Sequence, residues 1–164
     1  MQHVLSVLVR NRAGVLTRVS GLFSRRGYNI ESLVVGTTEK HGISRMTIVV
    51  NGDDNIIEQV IKQLYKLIDV IKVQNITNDP FVDRELVLIR VRVTKESRAE
   101  IMDTVLQVFR GRIVDISGDS MMIEATGDTG KIEAIEAYLS SFGIKEMART
   151  GKVALARGAK DRRD

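Results

Sequence analysis

The sequence predicts an α+β protein built from two tandem βαββαβ sandwiches. Strand-like and helix-like apolar periodicities follow one another in the order βαββαβ before residue 78, and again after residue 84. The chain's one proline, Pro80, lies between the copies in NDPFVD, where Asn, Asp and Pro break both periodicities. At 164 residues and 43% hydrophobic content, the chain is too apolar for wholesale disorder and long enough for two small packed domains. The reading therefore assigns residues 1–78 to a first domain, 79–83 to a linker, and 84–164 to a second domain with a basic tail.

LSVLV (5–9) reads as the first strand. In GVLTRVSGLFSRRG (14–27), Val15, Val19, Leu22 and Phe23 share one helical face, and Gly27 after two arginines is a stop signal. YNIESLVVGT (28–37) and ISRMTIVV (43–50) form a hairpin around the polar TEKHG. DDNIIEQVIKQLYKLI (53–68) opens on acidic cap candidates and repeats apolar residues at Ile57, Val60, Ile61, Leu64 and Ile68. DVIKVQNIT (69–77) supplies the last strand of the copy.

After the linker, RELVLIRVRV (84–93) is a strand, ESRAEIMDTVLQVFRG (96–111) a helix, and RIVDIS (112–117) and SMMIEATG (120–127) two further strands. TGKIEAIEAYLSSFG (129–143) and IKEMART (144–150) complete the copy. The repeat also shows in residues, since LFSRRGYNI aligns with VFRGRIVDI and pairs Phe23 with Phe109. Each copy is expected to form a four-stranded antiparallel sheet with two helices on one face, a ferredoxin-like sandwich. LVLIRVRV alternates toward its end, as a sheet with one wet face should. VLSVLV (4–9) is mostly apolar on both faces, so the first sheet is expected to be covered on both sides or to sit centrally, as sheet pairing between subunits would achieve. Two domains of this size have high surface-to-volume ratios, which also favours an oligomer.

Composition excludes several functions. The absence of cysteine removes disulfides, thiolate catalysis and cysteine-ligated metal sites, and suits a reducing compartment, the cytoplasm by default. The apolar run Val4 to Val9 is too short for a membrane span or a signal segment. The net charge of +4 comes from 25 basic and 21 acidic residues that are well mixed, with only residues 152–163 leaning basic, so a solvated or partner-contacting tail is favoured over nucleic-acid binding. The central strands also lack the aromatics on which an RNA-recognition motif stacks bases. His3 and His41 have no metal-ligand partners at helical spacing, no nucleophile–base pair is evident, and no phosphate-binding glycine signature occurs.

The richest segment is RNRAGVLTRV (10–19), where the first strand gives way to the first helix. Gly14 removes a side chain where the N–H groups of the first helical turn converge, an arrangement that favours an anion such as a carboxylate. Asn11 and Asn29 offer amide groups for an ammonium or a carboxylate oxygen, while Val15, Leu16, Ile30 and Leu33 offer apolar wall. A plainer reading uses the same residues: Gly14 relieves a tight turn and Asn11 helps cap the helix. Spacing alone favours the plainer one.

NRAGVLTRVSGLFSRRGYNIESL, SRMTIVV and EQVIKQLYKLIDVIKV closely resemble the acetolactate synthase small regulatory subunits, and RELVLIRV, FRGRIVDI and TGKVALARG extend the resemblance over essentially the whole chain. The first half resembles an ACT domain. The resemblance implies a non-catalytic, homodimeric subunit that binds the large catalytic subunit, raises its activity and mediates feedback inhibition by valine or a related branched-chain amino acid. It implies no cofactor on this chain, with thiamine diphosphate, Mg and FAD on the catalytic partner, and no nucleic acid or membrane among the partners. ACT domains commonly pair side by side, with the effector between the first strand–helix loop of one subunit and the start of the second strand of the other. Asn11, Gly14, Val15, Leu16, Asn29 and Ile30 occupy the matching positions. The second copy's junction, VTKESRAE (93–100), lacks the Asn and Gly, so no second effector site is expected there.

Overall fold

The computed structural model describes residues 1–158 of the chain, which fall into two units: 1–82 with the segment from residue 152 onward, and 83–151. The first unit contains β1 (Gln2–Arg10), α1 (Val15–Arg25), β2 (Ile30–Thr37), β3 (Ile43–Asn51), α2 (Asp54–Tyr65) and β4 (Val70–Asn75). Its sheet has the order β2-β3-β1-β4 with every neighbour antiparallel.

Side chains alternate across this sheet, so Leu5, Val7 and Val9 of β1 and Met46, Ile48 and Val50 of β3 point to one face. There they meet Val15, Val19, Leu22 and Phe23 of α1 and Ile57, Val60 and Leu64 of α2. All are essentially buried. Ile68, predicted on the apolar face of α2, is instead 87% exposed, because the helix ends at Tyr65 and the chain turns through 66–69. The Leu67 N–H bonds the Leu64 carbonyl and the Val70 N–H the Leu67 carbonyl, which carries Leu67 rather than Ile68 to the core.

The opposite face of this sheet is covered by the same chain. The last described strand, β9 (Val153–Ala156), returns to the first unit, and Ala154 packs with Val4, Val49, Ile76 and Phe81 in a small second core. The Lys152 N–H donates to Ser32 Oγ (3.0 Å), the Ala154 N–H to Thr47 Oγ1 (3.4 Å) and the Arg157 N–H to the Pro80 carbonyl (2.7 Å). The expected cover on the second apolar face of β1 is found, and it comes from this strap of the same chain. Two other features of the sequence reading are corrected. Residues 152–158 belong with the first unit instead of forming a free basic end of the second, and the remainder of that predicted tail lies outside the described residues. The predicted linker 79–83 is also mostly strand, since the next strand already begins at Phe81.

That strand, β5 (Phe81–Arg92), leads into the second unit, which continues with α3 (Arg98–Asp103), β6 (Arg112–Ser117), β7 (Ser120–Gly127), α4 (Thr129–Ser140) and β8 (Ile144–Arg149). Its sheet order, β6-β7-β5-β8, repeats that of the first unit, so both copies are ferredoxin-like sandwiches. Val87, Ile89 and Val91 pack with Ile101, Val105, Met121, Ile123, Ile132, Ile135 and Leu139. The predicted helix 96–111 is only partly regular. From Thr104 to Val108 it widens into π-helical turns, with the Phe109 N–H bonding the Thr104 carbonyl, and it closes on Arg110 in the left-handed region at φ 52°.

Candidate functional site

The β1–α1 loop starts where β1 ends. The Arg10 N–H donates to the Asp69 carbonyl and the Asn11 N–H to the Gly42 carbonyl, both at 2.8 Å, so the loop is tied on two sides. Gly14 is the cap residue of α1 at φ 83° and ψ −5°, a left-handed conformation that disfavours a Cβ. Its carbonyl accepts the Arg18 N–H at 3.0 Å, the first bond of the helix.

No side chain caps α1, and its first turn carries no acid. The contrast with α2 and α4 is informative. There Asp53 Oδ1 accepts the Ile56 N–H and Asp128 Oδ1 the Lys131 N–H, both at 2.9 Å, meeting first-turn donors with a carboxylate of the protein. At α1 the Val15 N–H bonds the Arg12 carbonyl at 3.3 Å, but no side chain takes the donors that follow, and the positive end of the helix dipole faces no protein carboxylate beside the glycine. Asn11 is exposed and its side chain does not cap the helix, which removes the plainer role proposed for it.

The predicted site residues divide into three groups. Asn11, Gly14 and Leu16 lie together at the N-terminus of α1, with Leu16 48% exposed. Val15, read as apolar wall, is 5% exposed and its side chain packs into the first core. Asn29 and Ile30 lie at the far end of the unit. Ile30 pairs with Val50, which pairs with His3, whereas Asn11 follows Arg10. Seven to eight residues of strand at about 3.3 Å each put the two groups roughly 25 Å apart within one chain. Asn29 is exposed, while Ile30 and Leu33 are half-buried against the core.

Two residues that sequence reasoning passed over sit at the loop. Asp69, 6% exposed at the turn before β4, receives Arg18 Nη2 on Oδ2 at 2.5 Å, with Arg12 Nη1 3.8 Å from Oδ1. A Cβ built on Gly14 meets Arg18 Nη1 at 3.1 Å, so that guanidinium lies over the glycine. Nothing in LIDVI marks Asp69 locally, because its partners are some fifty residues away.

In the second unit the equivalent junction is occupied by itself: the Thr94 N–H donates to Ser97 Oγ (2.9 Å) and the Ser97 N–H to Thr94 Oγ1 (3.1 Å). On the open face of that sheet, Arg90 bonds Glu146 and Asp115, which raises its already high pKa, with Glu146 the larger influence. A depression of about 200 Å³ lined by Leu88, Met122 and Ala148 lies beside it. Among the described residues no group of three or more His, Cys, Asp or Glu is placed to hold a metal ion. No helix among them is long and apolar enough to cross a membrane.

Comparison with known proteins decides what these units are. Residues 5–72 match the AHAS small subunit-like ACT domain, and residues 84–158 match the family described as small subunit of acetolactate synthase. The chain is 59% identical to a probable acetolactate synthase small subunit of Archaeoglobus fulgidus, over 98% of this chain and 99% of that one. The chain belongs to the acetolactate synthase small-subunit family. A second relative, the probable small subunit of Methanothermobacter thermautotrophicus, is 50% identical over 96% of this chain and 94% of its own. The crystal structure of the acetolactate synthase small subunit from Thermotoga maritima superposes with a TM-score of 0.89 at 43% identity, covering 96% of this chain and 98% of that one. Membership of this family, with an ACT domain as its first unit, marks the chain as a regulatory subunit. The β1–α1 loop is then the loop of an ACT domain, and the open end of α1 lies within it.

Proposed function

We propose that this chain binds the catalytic subunit of acetolactate synthase, raises its activity, and makes it sensitive to valine or a related branched-chain amino acid. The carrying observation is the uncapped N-terminus of α1 behind Gly14, in an ACT domain of acetolactate synthase type. Backbone N–H groups there suit a ligand carboxylate, and exposed Leu16 offers apolar contact. Asn29 and Ile30 are about 25 Å away in the same chain, so in this reading they come from the partner of a homodimer, and sensing is a property of the dimer. The chemistry, with thiamine diphosphate, Mg and FAD, belongs to the catalytic subunit, and the chain works in the cytoplasm.

Effector binding then favours one arrangement of the two ACT domains and changes the grip on the catalytic partner. A coupling of about 1–3 kcal/mol gives a several-fold to hundred-fold effect and must act equally in both directions. The test is to add the purified chain to its cognate catalytic subunit and measure acetolactate formation with and without valine, leucine or isoleucine. Stimulation by the chain and inhibition by one of these amino acids is the expected result. An unchanged rate throughout overturns the reading.

A further inference from the structure

We infer that Arg18 supplies the charged half of the carboxylate receptor at the β1–α1 loop, with Asp69 as the residue that positions it. The inference rests on the effector reading above and names the side chains on which it depends.

Arg18 is the fourth residue of α1, and a cation so close to the positive end of a helix is opposite to what helix stability favours. Its placement is nevertheless specific. Nη2 is held by Asp69 Oδ2, while Nη1 reaches over Gly14 and, among the described residues, makes no hydrogen bond. A guanidinium is a planar fork able to serve two carboxylates at once, one on each edge. Asp69 takes one edge. The other faces the glycine beside the uncapped N–H groups, and the side chain is half exposed, so a carboxylate entering from solvent meets both.

Asp69 is suited to hold rather than to bind. Its side chain is 9% exposed and its own carbonyl anchors Arg10, so the turn that carries it is fixed to the root of the loop. Oδ1 is buried without a hydrogen-bond partner, Arg12 stopping 3.8 Å away. Two arginines against one carboxylate leave one net positive charge at the loop. An anion on the free edge of Arg18 balances it. The same geometry adds to the left-handed backbone in favouring glycine at residue 14: a Cβ there would lie 3.1 Å from the edge of Arg18 that faces the ligand and would displace it.

The experiment is calorimetric titration of the intact chain with valine and with valinamide, which lacks the carboxylate charge, using wild type, Arg18→Gln, Arg18→Lys and Asp69→Asn. The expected result is a tenfold or greater loss of valine affinity in Arg18→Gln, no change for valinamide, and recovery to within about fivefold in Arg18→Lys, consistent with charge-assisted bonding. Asp69→Asn is expected to weaken valine several-fold and to speed amide exchange in residues 10–16. Equal losses for valine and valinamide in Arg18→Gln make Arg18 merely structural, and wild-type valine affinity in that variant removes it from the site; either overturns the inference while the effector reading stands. A wild type that binds none of valine, leucine and isoleucine overturns both.

Discussion

Replacing Gly14 by alanine tests the loop geometry most directly, because the cost is set by two separable terms. The first is backbone: φ 83° is left-handed, and an L-residue there costs about 1–2 kcal/mol. The second is contact: the new Cβ lies 3.1 Å from Arg18 Nη1, the tip of a flexible side chain, so the guanidinium shifts instead of the backbone. Moving it strains a half-exposed ion pair with Asp69, a further 0.5–1 kcal/mol at about the value of partly solvated pairs. Gly27→Ala isolates the first term, since φ is 71° and nothing lies within 4 Å of the added Cβ. Gly36→Ala is the control, with open space and no left-handed backbone, and is expected within about 0.5 kcal/mol of wild type. Urea unfolding followed by circular dichroism should therefore rank Gly14→Ala below Gly27→Ala, and both below Gly36→Ala. The second term should vanish when Arg18→Gln is combined with Gly14→Ala. Equal stability of Gly14→Ala and Gly36→Ala would refute the left-handed cap on which the open helix end depends.

Other perturbations probe the rest of the structure. Asp128→Ala removes the side-chain cap of α4 and is expected to cost about 1 kcal/mol by denaturant titration, as is Asp53→Ala at α2. Ala154→Asp places a carboxylate among Val4, Val49, Ile76 and Phe81; it is expected to release the strap and expose Lys152 and Arg157 to trypsin, and an unchanged cleavage pattern would contradict this packing. The Lys145 ammonium bonds the Asp119 carboxylate at 2.9 Å and lowers its pKa. That contribution to stability is present above the ordinary carboxyl pKa and lost as pH falls through the depressed one. Lys145→Met should raise the Asp119 titration midpoint, read by NMR, back toward the ordinary aspartate range, and an unmoved midpoint would remove the pair as its cause.

The order of elements in both copies was legible because each buries one face against one sheet, and burial leaves a period of two in strands and near 3.6 in helices. Gly14 was legible too, as a glycine between a strand and an amphipathic helix. The core face of α1 was legible by the same rule: Val15 is in phase with Val19 and Leu22, and its side chain packs with theirs. Ile68 kept the helical phase on paper after the helix had already ended.

What the sequence by itself determined is therefore local: two ferredoxin-like copies, the loop at Gly14, and a first strand too apolar for one-sided burial. Tertiary structure decided whatever joins residues far apart along the chain. It brought Ala154 back across a sheet about a hundred residues earlier, and set Asp69 behind Arg18, some fifty residues apart. It also separated Asn29 from Asn11 by the length of a strand, so the two do not meet within one chain. Periodicity records which face of an element is buried but not what buries it, and a lone charged residue carries no mark of its partner until folding removes both from water.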